Sequence, residues 1–185
     1  MADFTLSSGS IMRPYRSPWG AFPTRTMQAI STATIKLGQL LTTGGLGTTN
    51  AHRVQPIIST GGLAATDIVG IAAEAWTFTS SATTPASITV WEANPAVEFR
   101  VVALGAVLAS SNVGQRKALG YDSAKDHLWV NLGTSTATDH RVVITGLIDA
   151  AGDSGGAVSV RFLTHLGDQV ASTVMSSSPL LAFYS

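Results

Sequence analysis

Five consecutive residues, Gly152-Asp153-Ser154-Gly155-Gly156, are the part of this chain most suggestive of chemistry. A serine in such a run can be an acyl-transfer nucleophile. It then needs a histidine to take its proton, an aspartate to orient that histidine, and backbone amides to hold the developing oxyanion. The nearest candidate base is His52, in Asn50-Ala51-His52-Arg53-Val54, where only Ala-His fits the context of such a base. No recognisable motif surrounds a third member. The same five residues are good turn chemistry, because Asp and Ser bond back to the backbone and Gly accepts positive φ. They stand between two strand-like runs, so we read them as a hairpin loop and assign no catalytic residue.

Other chemistries fare no better. His52, His127, His140 and His165 show neither His-x-His nor His-x-x-x-His spacing, and cysteine is absent, so no metal site is expected. Gly44-Gly-Leu-Gly lacks the lysine and following Ser/Thr of a phosphate loop, and no cofactor is expected. Glu92 and Glu98 could serve as paired carboxylates. Glu98 lies beside Arg100 on one strand face, however, and a surface ion pair between them is the simpler expectation. Trp19, Trp76, Trp91 and Trp129 could form a sugar-binding platform, but three of them fall in strand-like segments that suit core or interface positions. The chain is expected not to be an enzyme.

Composition points the same way. The chain has 185 residues, enough for one domain with or without a long arm, and only 12% of them are charged. Low charge with many Ser, Thr, Gly and Ala residues suits a protein that hides surface in an assembly. No run of about 18 apolar residues exists, so no membrane helix is expected. Net charge is zero but unevenly spread: residues 1–66 carry Arg13, Arg16, Arg25, Lys36 and Arg53 against Asp3 alone. That imbalance favours an acidic partner surface. Three arginines in the first 26 residues are too sparse for a nucleic-acid arm, and no nucleic-acid partner is expected.

The elements that position these residues are mostly strands. Residues 1–34 read as an extended arm, because Pro14, Pro18 and Pro23 remove donors and disfavour helix. The arm also carries Tyr15, Trp19 and Phe22. It can dock on a partner or fold back on its own domain. The domain proper spans 35–185. Strands are expected over Ile35–Thr42, Val54–Ser59, Asp67–Phe78, Ile88–Glu92, Ala96–Val101, His127–Leu132, His140–Ile148 and Ala157–Leu163, with a short helical turn over Val113–Leu119. The small residues of the third strand predict close approach of another backbone. The apolar end, Leu180 to Tyr184, suits a buried or interface position. No repeat at fixed period is visible. These patterns predict a mainly β, barrel- or sandwich-like domain.

The organisation resembles the head decoration, or capsid cement, proteins of tailed bacteriophages. Lys36-Leu-Gly-Gln-Leu-Leu-Thr resembles that family's opening strand. Ile68-Val-Gly-Ile-Ala-Ala-Glu-Ala resembles its second strand, and Asp149 to Phe162 its late hairpin. The resemblance covers about residues 35–165 of the sequence. It implies a β-tulip-like domain, a homotrimer, and a place on the outside of the virion capsid, bound to the major capsid protein. Arg13, Tyr15, Arg16, Trp19, Phe22 and Arg25 are the expected partner contacts. Another virion part, such as a tail-tube or head-fibre subunit, and a carbohydrate-binding module are the alternatives.

Overall fold

The computed structural model describes residues 11–29, 34–43, 53–57, 68–77, 87–122, 127–133 and 140–163. His52, the Gly44 loop, His165 and the apolar end lie outside these residues. Over the described residues the chain is mainly β, as the patterning predicts. The strands are β1 (Arg13–Arg16), β2 (Thr24–Ala29), β3 (Leu40–Thr43), β4 (Arg53–Pro56), β5 (Ile68–Ala72), β6 (Ser87–Glu92), β7 (Glu98–Leu104), β8 (Arg116–Asp122), β9 (His127–Asn131), β10 (His140–Leu147) and β11 (Ala157–Phe162).

Strands β2-β4-β3-β5-β6 form a closed barrel. The remaining strands form a sheet ordered β1-β7-β11-β10-β8-β9, and a parallel pairing of β7 with β9 closes it into a second five-stranded ring. The segment expected as an arm is extended. Its described part pairs within the molecule: β1 lies antiparallel on β7, and β2 is a stave of the first barrel.

The two barrels have one topology and one register. In each, the first strand runs parallel to the third: Gln28↔Arg53 and Ala29↔Val54 in one, Val102↔Trp129 and Ala103↔Val130 in the other. The second and fourth strands pair as Leu40↔Ile71, Leu41↔Gly70 and Thr42↔Ile68, matched by Arg116↔Val143, Lys117↔Val142 and Ala118↔His140. Even the irregularity in that ladder falls at the same place. The fourth and fifth strands pair as Gly70↔Glu92, Ile71↔Trp91 and Ala72↔Val90, matched by Val142↔Phe162, Val143↔Arg161 and Ile144↔Val160.

The correspondence extends to the approach to the second strand. Gly38 donates to the Ala72 carbonyl at 2.9 Å and Ala72 donates to that of Gln39 at 2.9 Å. Gly114 likewise donates to Ile144 at 2.8 Å, and Ile144 to Gln115 at 3.0 Å. Both glycines hold positive φ, +77° and +84°, which a Cβ would strain.

Burial explains why these sequences become these strands. Ala29, Val54, Ile88 and Val90 pack in one hydrophobic cluster, and their counterparts Ala103, Val130, Val158 and Val160 pack in the other. Each buried Val or Ile contributes roughly 1.5–3 kcal/mol by leaving water. The second cluster also takes Leu40, Ile68 and Ile71 from the first barrel, so the barrels share a core. Gln39 crosses between them, donating from Nε2 to the buried Tyr121 hydroxyl at 3.2 Å.

Three local expectations change. The third strand, expected over Asp67–Phe78, ends at Ala72, where the chain bends at Ala73 and Glu74. Val113–Leu119 is not a helical turn. A 3-10 turn occupies Ser110–Asn112, and Arg116–Asp122 is strand β8. Arg, Lys, Ala and Leu favour helix in isolation, but Leu119 and Tyr121 are buried here and Gly120 lets the Trp129 indole lie where a Cβ would be. The first domain strand begins at Leu40, because Lys36–Gln39 is a turn in which Gln39 donates to the Lys36 carbonyl at 3.1 Å. The close approach expected at the small residues of β5 is present. A Cβ on Gly70 would collide with the Trp91 carbonyl oxygen.

Candidate functional site

β1 is short, and its ladder with β7 places it. Arg13 pairs with Arg100, Pro14 with Phe99 and Arg16 with Glu98. Cross-strand partners point to the same side of a sheet. On β7, Phe99, Val101 and Ala103 are buried, so Glu98, Arg100 and Val102 take the outer side. The row continues outward from Glu98 through Arg161 on β11 and Val143 on β10 to Arg116 on β8. The outer face thus gathers Arg13, Arg16, Arg100, Arg116 and Arg161 around Glu98.

Glu98 is not paired with Arg100, as the sequence suggested. Arg161 Nη2 donates to Glu98 Oε1 at 2.9 Å, and the carboxylate side chain is largely buried. Residues 98 and 100 are neighbours on one strand face, but the cross-strand residue is nearer to hand. The Arg13↔Arg100 pairing sets two guanidinium-bearing residues opposite each other, and like charges so placed destabilise a ladder.

The six expected contact residues, Arg13, Tyr15, Arg16, Trp19, Phe22 and Arg25, are all exposed. The Arg16 guanidinium lies over the Tyr15 ring at 4.9 Å. After β1, Ser17-Pro18-Trp19-Gly20 forms a turn in which Gly20 donates to the Ser17 carbonyl at 3.3 Å. Proline suits the second position of such a turn. Trp19 stands at its tip, 59% exposed, and Phe22 follows at 37%. Arg25, the second residue of β2, donates from Nε to Glu92 Oε1 at 2.9 Å. The structure thus joins Tyr15 to Arg16 directly, ties Arg25 to Glu92, and places Trp19 and Phe22 on the connection between. The sequence did not reveal that Arg100, Arg116 and Arg161 join them, because that face forms only when β7, β11, β10 and β8 align.

The Gly-Asp-Ser-Gly-Gly run is the β10–β11 connection, as expected. Leu108 donates to the Asp153 carbonyl at 2.8 Å and Gly152 to that of Leu108 at 2.8 Å. Asp149 Oδ2 accepts from the Ala157 amide at 2.8 Å, closing the hairpin. Ser154 is exposed and bridges to Val107. Among the described residues no three His, Asp or Glu side chains converge as metal ligands. Of the tryptophans, Trp76 pairs with Ile35, Trp91 packs against the larger core cluster, and Trp129 covers Gly120. Comparisons of the chain with protein-family models, curated proteins and solved structures found no match.

Proposed function

We propose that this protein is a non-enzymatic virion structural protein that binds the outside of an assembled phage capsid and stabilises it by bridging capsomers. It acts as a homotrimer and contacts the major capsid protein through Arg13, Tyr15, Arg16, Trp19, Phe22 and Arg25.

One observation carries the reading: Arg13 opposite Arg100 on an exposed face that holds five arginines to one buried, already paired glutamate. A pairing that is unfavourable in the isolated chain suits a surface meant to be completed by acidic groups. The exposed Tyr15, Trp19 and Phe22 beside it supply the aromatic anchors common at the centres of interfaces. A protein that binds only the assembled shell stabilises that shell by mass action, and three such faces in one trimer add avidity.

Because Thr24–Arg25–Thr26 pair with Trp91, Val90 and Thr89 in the first barrel, substitution tests the surface better than truncation. The experiment is co-sedimentation with undecorated capsids at several salt concentrations. Trp19→Ala with Phe22→Ala should weaken binding strongly and leave the melting temperature unchanged. Undiminished binding by that variant removes the surface from the reading. No binding by the unaltered protein removes the reading.

A further inference from the structure

The shared register of the barrels maps Glu98–Ala103 of β7 onto Thr24–Ala29 of β2, so that Glu98, Phe99 and Arg100 correspond to Thr24, Arg25 and Thr26. On β7, one side pairs with β11. The other side is divided, with residues 102–104 taken by β9 and residues 98–100 taken by β1. On β2, one side pairs with β6 from Thr24 to Gln28. The other is taken by β4 only at Gln28 and Ala29. From Thr24 to Met27 that second side has no partner among the described residues. Thr24, Arg25 and Thr26 are exposed there, whereas Glu98 and Phe99 are buried. Among the described residues the first barrel therefore carries an unfilled copy of the edge that β1 fills on the second.

Natural sheets protect such edges with lysine, inward charge, proline or a bulge. Thr24–Met27 has a regular ladder behind it, two β-branched residues and neither lysine, proline nor bulge; its one charge, Arg25, takes the inward place of Phe99 and is committed to Glu92. β1 is itself the terminal strand of its sheet, with no partner on its far side among the described residues. We propose that the edge at Thr24–Thr26 receives β1 of a second copy of this chain. The incoming strand runs antiparallel, with Arg13 against Thr26 and Arg16 against Thr24, the places equivalent to Arg100 and Glu98. β1 then bridges β7 of its own chain and β2 of the next, and no existing pairing is broken. Donor and acceptor are different surfaces, so the contact is head-to-tail, a type that builds a ring when the rotation between copies closes and a filament when it does not. We take the closed ring, such as a trimer. Main-chain bonds supply the affinity, as in other strand additions. The inference deepens the self-association in the reading above and needs no capsid.

The chain has no cysteine, which makes the test clean. Arg13→Cys on a tagged chain is mixed with Thr26→Cys on an untagged one and oxidised mildly. Both positions are exposed, so neither change touches the core. The expected result is a covalent heterodimer in clear excess over that formed by tagged Arg13→Cys with untagged Ser154→Cys, an exposed loop control. Light scattering on the unaltered protein should show a closed oligomer. A heterodimer yield no greater than the control overturns the proposal. So does a doubly substituted chain that closes only on itself, since β1 would then be folding back as a hairpin on its own β2. Neither result depends on capsid binding, so failure here and failure of the capsid reading are separate outcomes.

Discussion

Arg25 faces Glu92 across β2 and β6 at 2.9 Å, at the place where the second barrel seats Phe99 against Phe162. The aromatic pair is edge-to-face, with centroids 5.3 Å apart and planes at 75°. One pair of positions in a common frame is ionic and half-exposed in the first barrel, and aromatic and buried in the second. The exchange fits the surroundings, since β1 covers Phe99 and nothing among the described residues lies alongside Arg25 in the same way.

The first prediction follows from that contrast. Phe99→Ala should destabilise by about 3–5 kcal/mol, the usual range for emptying a buried aromatic site. Arg25→Ala should change stability by less than about 1 kcal/mol, because the pair is largely solvated. Urea unfolding of the two variants checks both values. Similar losses would mean that the ion pair holds the first barrel closed.

A second prediction concerns Glu98. Arg161→Ala removes the only charge-assisted bond shown for a buried carboxylate, and should cost roughly 1–3 kcal/mol. Arg100→Ala should stay within about 0.5 kcal/mol of the unaltered protein. The order of the two losses decides which arginine Glu98 uses in solution.

The arginine face yields a third. Arg13→Glu turns the like-charged pair with Arg100 into an attractive one, and should raise stability by up to about 1 kcal/mol. The same change should weaken binding to undecorated capsids and flatten its salt dependence. A variant that gains stability and keeps its binding would separate this face from the partner.

The paired glycines give a fourth. Gly114→Ala adds a Cβ in open space and meets only the strain of positive φ, roughly 1 kcal/mol. Gly38→Ala meets the same strain and also drives its Cβ into the Ile11 side chain. Gly38→Ala should therefore be clearly the more destabilising in thermal unfolding, although the two backbones are equivalent.

Much of the second barrel was legible in the sequence. Ala96–Val101 and Ala157–Leu163 alternate, His140–Ile148 is an apolar-rich run, and the structure places strands over Glu98–Leu104, His140–Leu147 and Ala157–Phe162. β8 was not legible. Its Arg-Lys-Ala-Leu run carries helical propensity, and the reason for Gly120 is a tryptophan on another strand. The barrel repeat was hidden for a related reason. Equivalent positions conserve burial or pairing more than identity: Phe99 answers to Arg25, Phe162 to Glu92 and Val142 to Gly70. The spacing also drifts, from 74 residues between β2 and β7 to 70 between β6 and β11, so no fixed period exists to find. The Gly-Gln dipeptide before β3 and before β8 was the surviving trace. The arginine face could not be read linearly, since its members come from five strands.

The bond from Gln39 to Tyr121 acquires a further meaning in a molecule of two like halves. Its counterpart, Gln115, turns its amide back to the Ser111 carbonyl at the surface. Two interchangeable barrels could dock in more than one arrangement, or trade places between chains. A buried amide that finds its hydroxyl in one arrangement only acts as a key. It tells the halves apart, and it makes the loosening of either one felt by the other.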